Sequence, residues 1–297
     1  MNVYENLDIN TNIDDNPDIT CIGAFDGVHL GHMELIKFAK TVSSKYQILT
    51  FDPIPKKYFN TEHELLSTKQ MKINILSKNN PESIIFLSFE NIKELSPLDF
   101  CNILSEKLNT SAIVVGRDFK FGKNRVGDVK FLIKYFGNSN VHVLNDYEVN
   151  NLKVSSTLIK SSISDGKIDL ANKLLGYTFS LKGKVLHGNR MGHNIGFPTA
   201  NMKIDKELVI PKFGVYEVIV TIKEKKYKGL MNIGKKPTVS EEFNLSHEVH
   251  ILDFNEDIYD SILEVELQSF IREEIKFENI NQLKAQIAID IKSIKNK

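Results

Sequence analysis

The hydrophobic pattern of this chain changes once, near residue 180, and that change rules out a single uniform architecture. Before it, apolar runs at residues 20–25, 46–51, 84–89, 112–115 and 141–144 alternate with helical patterns. Runs that are apolar throughout, and not at every second residue, belong to strands covered on both faces. Between them Met33, Leu35, Ile36 and Ala39 fall on one helical face, and Ser96-Pro97 offers an N-cap followed by proline at the first helical position. This alternation predicts a doubly wound α/β domain around a parallel sheet. A short helical bridge through residues 170–175 follows, and after it strands succeed strands. Residues 181–187, 214–222, 227–233, 249–254 and 262–270 predict a small antiparallel β-barrel. A last helix carries Ile280, Leu283, Ile287, Ile291 and Ile294 at steps of three or four, which is a packing stripe. The expected domains are residues 1–180 and 181–297.

At 297 residues the chain is long enough for each domain to bury its own core. Lys plus Arg and Asp plus Glu both number 38, so no global field draws the chain to nucleic acid or an anionic membrane. Phosphate-binding charge must therefore be local. The two cysteines, Cys21 and Cys101, have no partner at metal or redox spacing, and a reduced thiol in a cytoplasmic protein is expected. The first 18 residues are acidic and Asn-rich, and no stretch approaches the ~20 apolar residues of a membrane span, so neither export nor anchoring is expected.

Chemistry concentrates where the first apolar run meets the first helix, in Asp26-Gly27-Val28-His29-Leu30-Gly31-His32. Open α/β sheets place ligands at such strand-to-helix turns. Gly27 and Gly31 permit close backbone approach, free N–H groups at the helix start can hold phosphate oxygens, and His29 and His32 add donors for charge developing on a triphosphate. Alone, the string suits a structural turn, a chance occurrence or a metal site as readily as a phosphate site. The same edge receives Asp52-Pro53 and the run from Gly116 through Asp118 and Phe119 to Gly122, and three such loops favour a nucleotide.

The second half carries Gly188, Gly192 and Gly196-Phe197-Pro198-Thr199-Ala200-Asn201. The glycines suit a loop whose amides approach a polyphosphate, and the oxygen-bearing Thr199 and Asn201, two residues apart, offer the ligand type Mg²⁺ selects. A glycine-rich barrel turn is the plain alternative. Glu248, at the start of an apolar strand, is placed to take a proton from a hydroxyl that attacks a γ-phosphate, or else is an exposed edge glutamate.

With these residues in place the chain resembles the bacterial bifunctional riboflavin kinase and FAD synthetase family. The resemblance is carried by Gly23-Ala24-Phe25-Asp26-Gly27-Val28-His29-Leu30-Gly31-His32, Thr50-Phe51-Asp52-Pro53, Gly116 to Gly122 with Arg125 and Gly127, and Val154-Ser155-Ser156-Thr157. Beyond residue 180 it is carried by Pro198-Thr199-Ala200-Asn201, by Gly229 to Thr238 including Asn232, by Glu248, and by Phe270-Ile271-Arg272. It implies a Rossmann-like nucleotidyltransferase domain that joins FMN to the adenylyl group of ATP, and a riboflavin kinase barrel. Carried over by residue, His29 and His32 handle ATP phosphates, as do Gly23, Phe25, Asp26, Gly27, Gly31 and Ser155-Ser156-Thr157. Gly188, Gly192, Gly196 and Pro198 line the kinase's phosphate loop, and Thr199 and Asn201 hold Mg²⁺-ATP. Glu248 is the base for the riboflavin hydroxyl, and Asp52, Asp118, Phe119, Arg125, Asn232 and Arg272 border flavin or nucleotide. Riboflavin, FMN and ATP are the implied partners.

Four positions depart from the family pattern: Ile54 replaces a usual histidine, Lys160 and Lys236 replace arginines, and Asp260 replaces a glycine. Isoleucine offers neither donor nor acceptor, and lysine lacks the planar fork that grips phosphate, so weaker or retargeted adenylyl transfer beside an intact kinase is the alternative.

Overall fold

The continuous apolar runs of the first half become parallel strands with a core on each side. β1 (Asn2–Leu7), β2 (Ile19–Ile22), β3 (Tyr46–Asp52), β4 (Ser83–Ser88), β5 (Ile113–Gly116) and β6 (Val141–Leu144) form one sheet in the order β1-β4-β3-β2-β5-β6. Every neighbouring pair is parallel. The computed structural model describes residues 1–7, 11, 13, 15–187, 196–235 and 245–295, which fall into two compact units, Met1–Ser156 and Thr157–Lys297.

Alternate residues of each strand feed opposite cores. Tyr46 and Ile48 of β3, Ile84 and Phe86 of β4 and Val114 of β5 pack with Leu35, Ile36 and Ala39 of α1 (Leu30–Val42). Leu49, Phe51, Ile85, Leu87, Ile113 and Val115 pack on the other face with Phe100, Cys101 and Leu132. The connecting helices are α2 (Pro55–Phe59), α3 (Lys69–Ser77), α4 (Phe89–Ile92), α5 (Pro97–Asn102) and α6 (Val129–Phe136). As its sequence announces, α5 starts on Ser96, whose hydroxyl accepts from the Asp99 amide at 3.1 Å. Both cysteines are free and buried; burial pushes the Cys21 thiol far up and Cys101 up to about 12, so neither is a reactive thiolate.

Strand β1 has no counterpart in the sequence reading. It pairs with β4 at the sheet edge, and of its six residues only Leu7 is buried, so it carries no continuous apolar run. From β2 the chain steps outward through β3 to β4 and then returns across β2 to β5. The order therefore reverses between β2 and β5, and the carboxyl ends of β2, β3 and β5 share one edge. A hairpin of β7 (Glu148–Val149) and β8 (Leu152–Lys153) completes the unit.

The second unit begins at Thr157, inside α7 (Ser156–Ser164), and continues through α8 (Ile168–Leu175). The sequence reading places its boundary at residue 180; the contact division falls at the start of these helices because they pack with the barrel. Asn172 donates to the Leu267 carbonyl at 3.0 Å and accepts from the Phe179 amide at 2.7 Å. The barrel consists of β9 (Ser180–Leu186), β10 (Ala200–Ile204), β11 (Gly214–Ile222), β12 (Lys225–Lys235), β13 (Leu245–Ile251) and β14 (Ile262–Arg272), closed in the order β10-β13-β12-β11-β14-β9. Helix α9 (Ile280–Lys295) lies on its outside. Ile294 is buried against Val215, Leu230 and Leu252, with Ile291 partly so, while Ile280 at the start of the stripe stays exposed.

Candidate active sites

In the first unit the site grows from the turn between β2 and α1. His29 is the N-cap of α1, and its ring Nδ1 accepts from the His32 amide at 3.4 Å, which leaves the proton of the neutral ring on Nε2. The two imidazoles stack with centroids 3.7 Å apart, and the buried His32 Nδ1 has no hydrogen-bond partner among the described residues. Burial lowers the His29 pKa to about 4 against the pull of Asp26. His32 is held well below the usual histidine range by burial first, then by His29 and Lys72. Both rings are therefore neutral donors at pH 7, not cations.

The turn preceding them is an unusual backbone path. Phe25, Gly27 and Val28 have φ of 49°, 77° and 40°, left-handed values that cost a β-branched valine most. A Cβ on Gly27 would meet Leu66 at 2.7 Å, so glycine is required there on two grounds. Side chains from four other segments hold the path. Thr50 Oγ1 and Lys72 Nζ both donate to the Ala24 carbonyl, at 3.0 and 2.9 Å. Ser156 Oγ donates to the Asp26 carbonyl at 3.0 Å, the Leu66 amide donates to the Asp26 carboxylate at 2.8 Å, and the Gly27 amide donates to Ser67 Oγ at 3.2 Å.

The other expected residues distribute around this edge. Asp52, at the end of β3, pairs with Lys69 of α3, and Ile54 is buried at the N-cap of α2 without a side-chain capping bond. After β5, Arg117 pairs with Asp146 at 2.5 Å, Asp118 and Arg125 are exposed, and Phe119 stacks on Phe121 with centroids 5.6 Å apart. Gly23 and Gly31 flank the turn, close to the Phe25 and His29 rings respectively. Ser155 is half-buried in the first unit, and Thr157 opens the second.

In the second unit, register assembles the site. Glu248 lies opposite Asn201 of β10 on one side and opposite Asn232 of β12 on the other, and residues directly opposite share a face. Buried Val249, Met231 and Met202 occupy the interior face, so this polar row is on the outside of the barrel. Thr199 Oγ1 donates to one Glu248 oxygen at 3.4 Å and Ser246 Oγ to the other at 3.0 Å. Glu248 is thus the fourth residue of β13 and not the first residue of a strand, as sequence reading had it. The His250 ring meets the Pro198 carbonyl at 2.8 Å and fixes the segment that bears Thr199. Gly196 has φ of 88° and is exposed; Gly188, Gly192 and Lys236 lie outside the described residues.

Arg272 grips Asp290 of α9 with three hydrogen bonds of 2.8 to 3.1 Å, and Asp290 is 3% exposed. The described geometry therefore engages this guanidinium in fastening the terminal helix. Asp260 has φ of 62°, which accounts for a glycine preference there, and is held by Lys184 at 2.8 Å. Thr199, Asn201 and Glu248 present only oxygen ligands, which fits Mg²⁺. Among the described residues no three His, Cys, Asp or Glu side chains gather as metal ligands.

Comparison with known proteins joins the two sites in one family. A riboflavin kinase family model matches residues 175–297 and an FAD synthetase family model matches residues 11–158. The bifunctional riboflavin kinase/FMN adenylyltransferase of Buchnera aphidicola subsp. Schizaphis graminum is 38% identical over 287 residues, covering 92% of each chain. The protein of that name from Listeria monocytogenes is 34% identical over 281 residues, covering 92% of this chain and 90% of its own. The chain belongs to the bifunctional riboflavin kinase/FMN adenylyltransferase family. A solved structure described as a macrolide-efflux protein of Streptococcus pneumoniae is also similar, with 29% identity, a TM-score of 0.91 and full coverage of both chains. Among the described residues no helix is long and apolar enough to cross a membrane.

Several residues around these two candidate sites gain their meaning only from the structure. Lys72 and Ser67, which the sequence did not single out, support the turn before α1 from behind, together with Thr50 of the Thr50-Phe51-Asp52-Pro53 segment. Ser246 braces Glu248, and Glu274 accepts from the Asn232 amide at 3.4 Å. Ser246 and Glu248 share a strand face, so alternation was the available signal; Lys72 gave only a four-residue spacing to Leu76.

Proposed function

We propose that the second unit transfers the γ-phosphoryl group of ATP to riboflavin and that the first unit joins the resulting FMN to the adenylyl group of a second ATP. In the kinase step Glu248 takes the proton of the riboflavin 5′-hydroxyl as its oxygen attacks the γ-phosphorus, and ADP leaves. The row Asn201, Glu248, Asn232, with Thr199 on the same carboxylate, is the observation that carries this reading. Thr199 and Asn201 would hold Mg²⁺, which when bound neutralises phosphate charge. The neighbouring Ser246 keeps the carboxylate aimed.

In the adenylyl step a phosphate oxygen of FMN attacks the α-phosphorus and pyrophosphate leaves. The neutral His29 and His32 donate to the phosphates, beside amides at the start of α1 that favour an anion. Buried Ile54 contributes no donor, which favours a slower adenylyl step than in relatives that carry histidine there. A cytoplasmic enzyme of free flavins and nucleotides is the setting we assign.

Purified protein incubated with riboflavin, ATP and Mg²⁺ should yield FMN first and FAD later, separated by chromatography. Chelation of Mg²⁺ should stop phosphorylation. Unchanged riboflavin would refute the kinase assignment, and FMN with no FAD would refute the adenylyltransferase assignment.

A further inference from the structure

A lysine inside a protein costs free energy unless its charge is used. Lys72 of α3 is 5% exposed and faces inward with Leu76, its Nζ 5.9 Å from the centre of the Phe86 ring. Methionine would fill a similar volume there, so packing alone does not select lysine.

Two features of its surroundings do. Nζ bonds the Ala24 carbonyl, immediately before the left-handed Phe25, Gly27 and Val28, and a strained path of this kind persists only where its surroundings restrain it. Its charge is also felt by groups on neighbouring elements: Asp26 on the turn, Asp52 at the end of β3, Lys69 on its own helix, and His32 of α1, which is stacked on His29.

We propose that Lys72 is a positioning residue of the adenylyl-transfer site, holding through the Ala24 carbonyl the turn at residues 24–28, whose Phe25 ring packs 5.0 Å from the His32 ring. This rests on the assignment of adenylyl transfer to the His29 and His32 turn. Burial lowers the Lys72 pKa to about 8, with Lys69 acting the same way and Asp26 and Asp52 opposing. The ammonium is therefore mostly charged at neutral pH, and its repulsion adds to burial and to His29 in disfavouring an imidazolium at position 32.

The test combines FAD formation from supplied FMN with NMR titration of the His32 ring in the full chain. Lys72→Met should lower kcat for FAD formation roughly tenfold to a hundredfold, the scale of a slightly misplaced catalytic group, with smaller changes in KM. Riboflavin phosphorylation should be unchanged, and His32 should titrate at higher pH than in the parent. Lys72→Gln, which still donates to the Ala24 carbonyl, should retain more activity than Lys72→Met while showing the same His32 shift. Parental FAD formation in Lys72→Met overturns the proposal. So does slower FAD formation with unchanged His32 titration, the outcome of a packing role alone. If Lys72→Met does not fold, Lys72→Gln decides by the same two readouts. A parent protein that makes no FAD refutes the assigned reaction, and the His32 titration still decides whether Lys72 acts on that ring.

Discussion

At the scale of single residues the two sites use opposite means. Glu248 is braced by hydroxyls, whereas His29 and His32 are buried so that the cationic form of each ring is disfavoured. Glu248→Gln preserves shape but removes the proposed base, so FMN formation should fall on the order of 10²- to 10⁴-fold while conversion of supplied FMN to FAD continues. The histidines make a prediction about stability. The folded His29 pKa of about 4 lies below the ordinary 6.5, so the unfolded chain takes up the proton first and the folded first unit loses stability as pH falls through that window. At about 1.4 kcal/mol per unit this approaches roughly 3 kcal/mol by pH 4, with His32 acting in the same direction. Thermal unfolding should show Tm dropping between pH 6.5 and 4, and His29→Gln should flatten the drop. His29, His32, Thr199, Asn201 and Glu248 were legible because their chemistry stands out against glycine and apolar neighbours. Lys72 was not, because a lysine in the polar stretch around α3 reads as solvated until the neighbouring layers are known.

At the scale of elements, what the sequence conveyed was burial. Strands covered on both faces advertise themselves as unbroken apolar runs, and β3 and β5 lie where those runs predict them. Edge strand β1 buries too little to leave a pattern. Strand β10 was concealed in the segment read as a phosphate loop, and the polar start of β13 was missed because its outer face carries Ser246 and Glu248. The turn before α1 is the least forgiving element of the first unit. Gly27→Ala combines a left-handed backbone with a Cβ driven into Leu66, and should cost about 1–3 kcal/mol. Chemical denaturation should show that loss in the first unit's transition, accompanied by slower FAD formation and unchanged riboflavin phosphorylation.

At the scale of the whole molecule, each compact unit contains its own gathered set of reactive side chains. His32→Ala should therefore abolish FAD formation and spare FMN formation, the reverse of Glu248→Gln. A mixture of the two variants given riboflavin and ATP should make FAD after a lag while free FMN accumulates. Failure of the mixture, when each variant retains its expected single activity, would show that FMN does not pass between molecules. The shift from alternating strands and helices to strands alone made the two-part plan legible, while the fine position of the division depended on the packing of α7 and α8, which no periodicity reports. The closed barrel has one more consequence. Because β9 pairs with both β10 and β14, the ring has no loose end along which a strand can slip. One residue inserted before Glu248 in β13 would turn the carboxylate inward or force a bulge, and never shift it by a fraction. The row around Glu248 is in that sense digital: drift in chain length is shunted into the connections, and the row is inherited whole or lost.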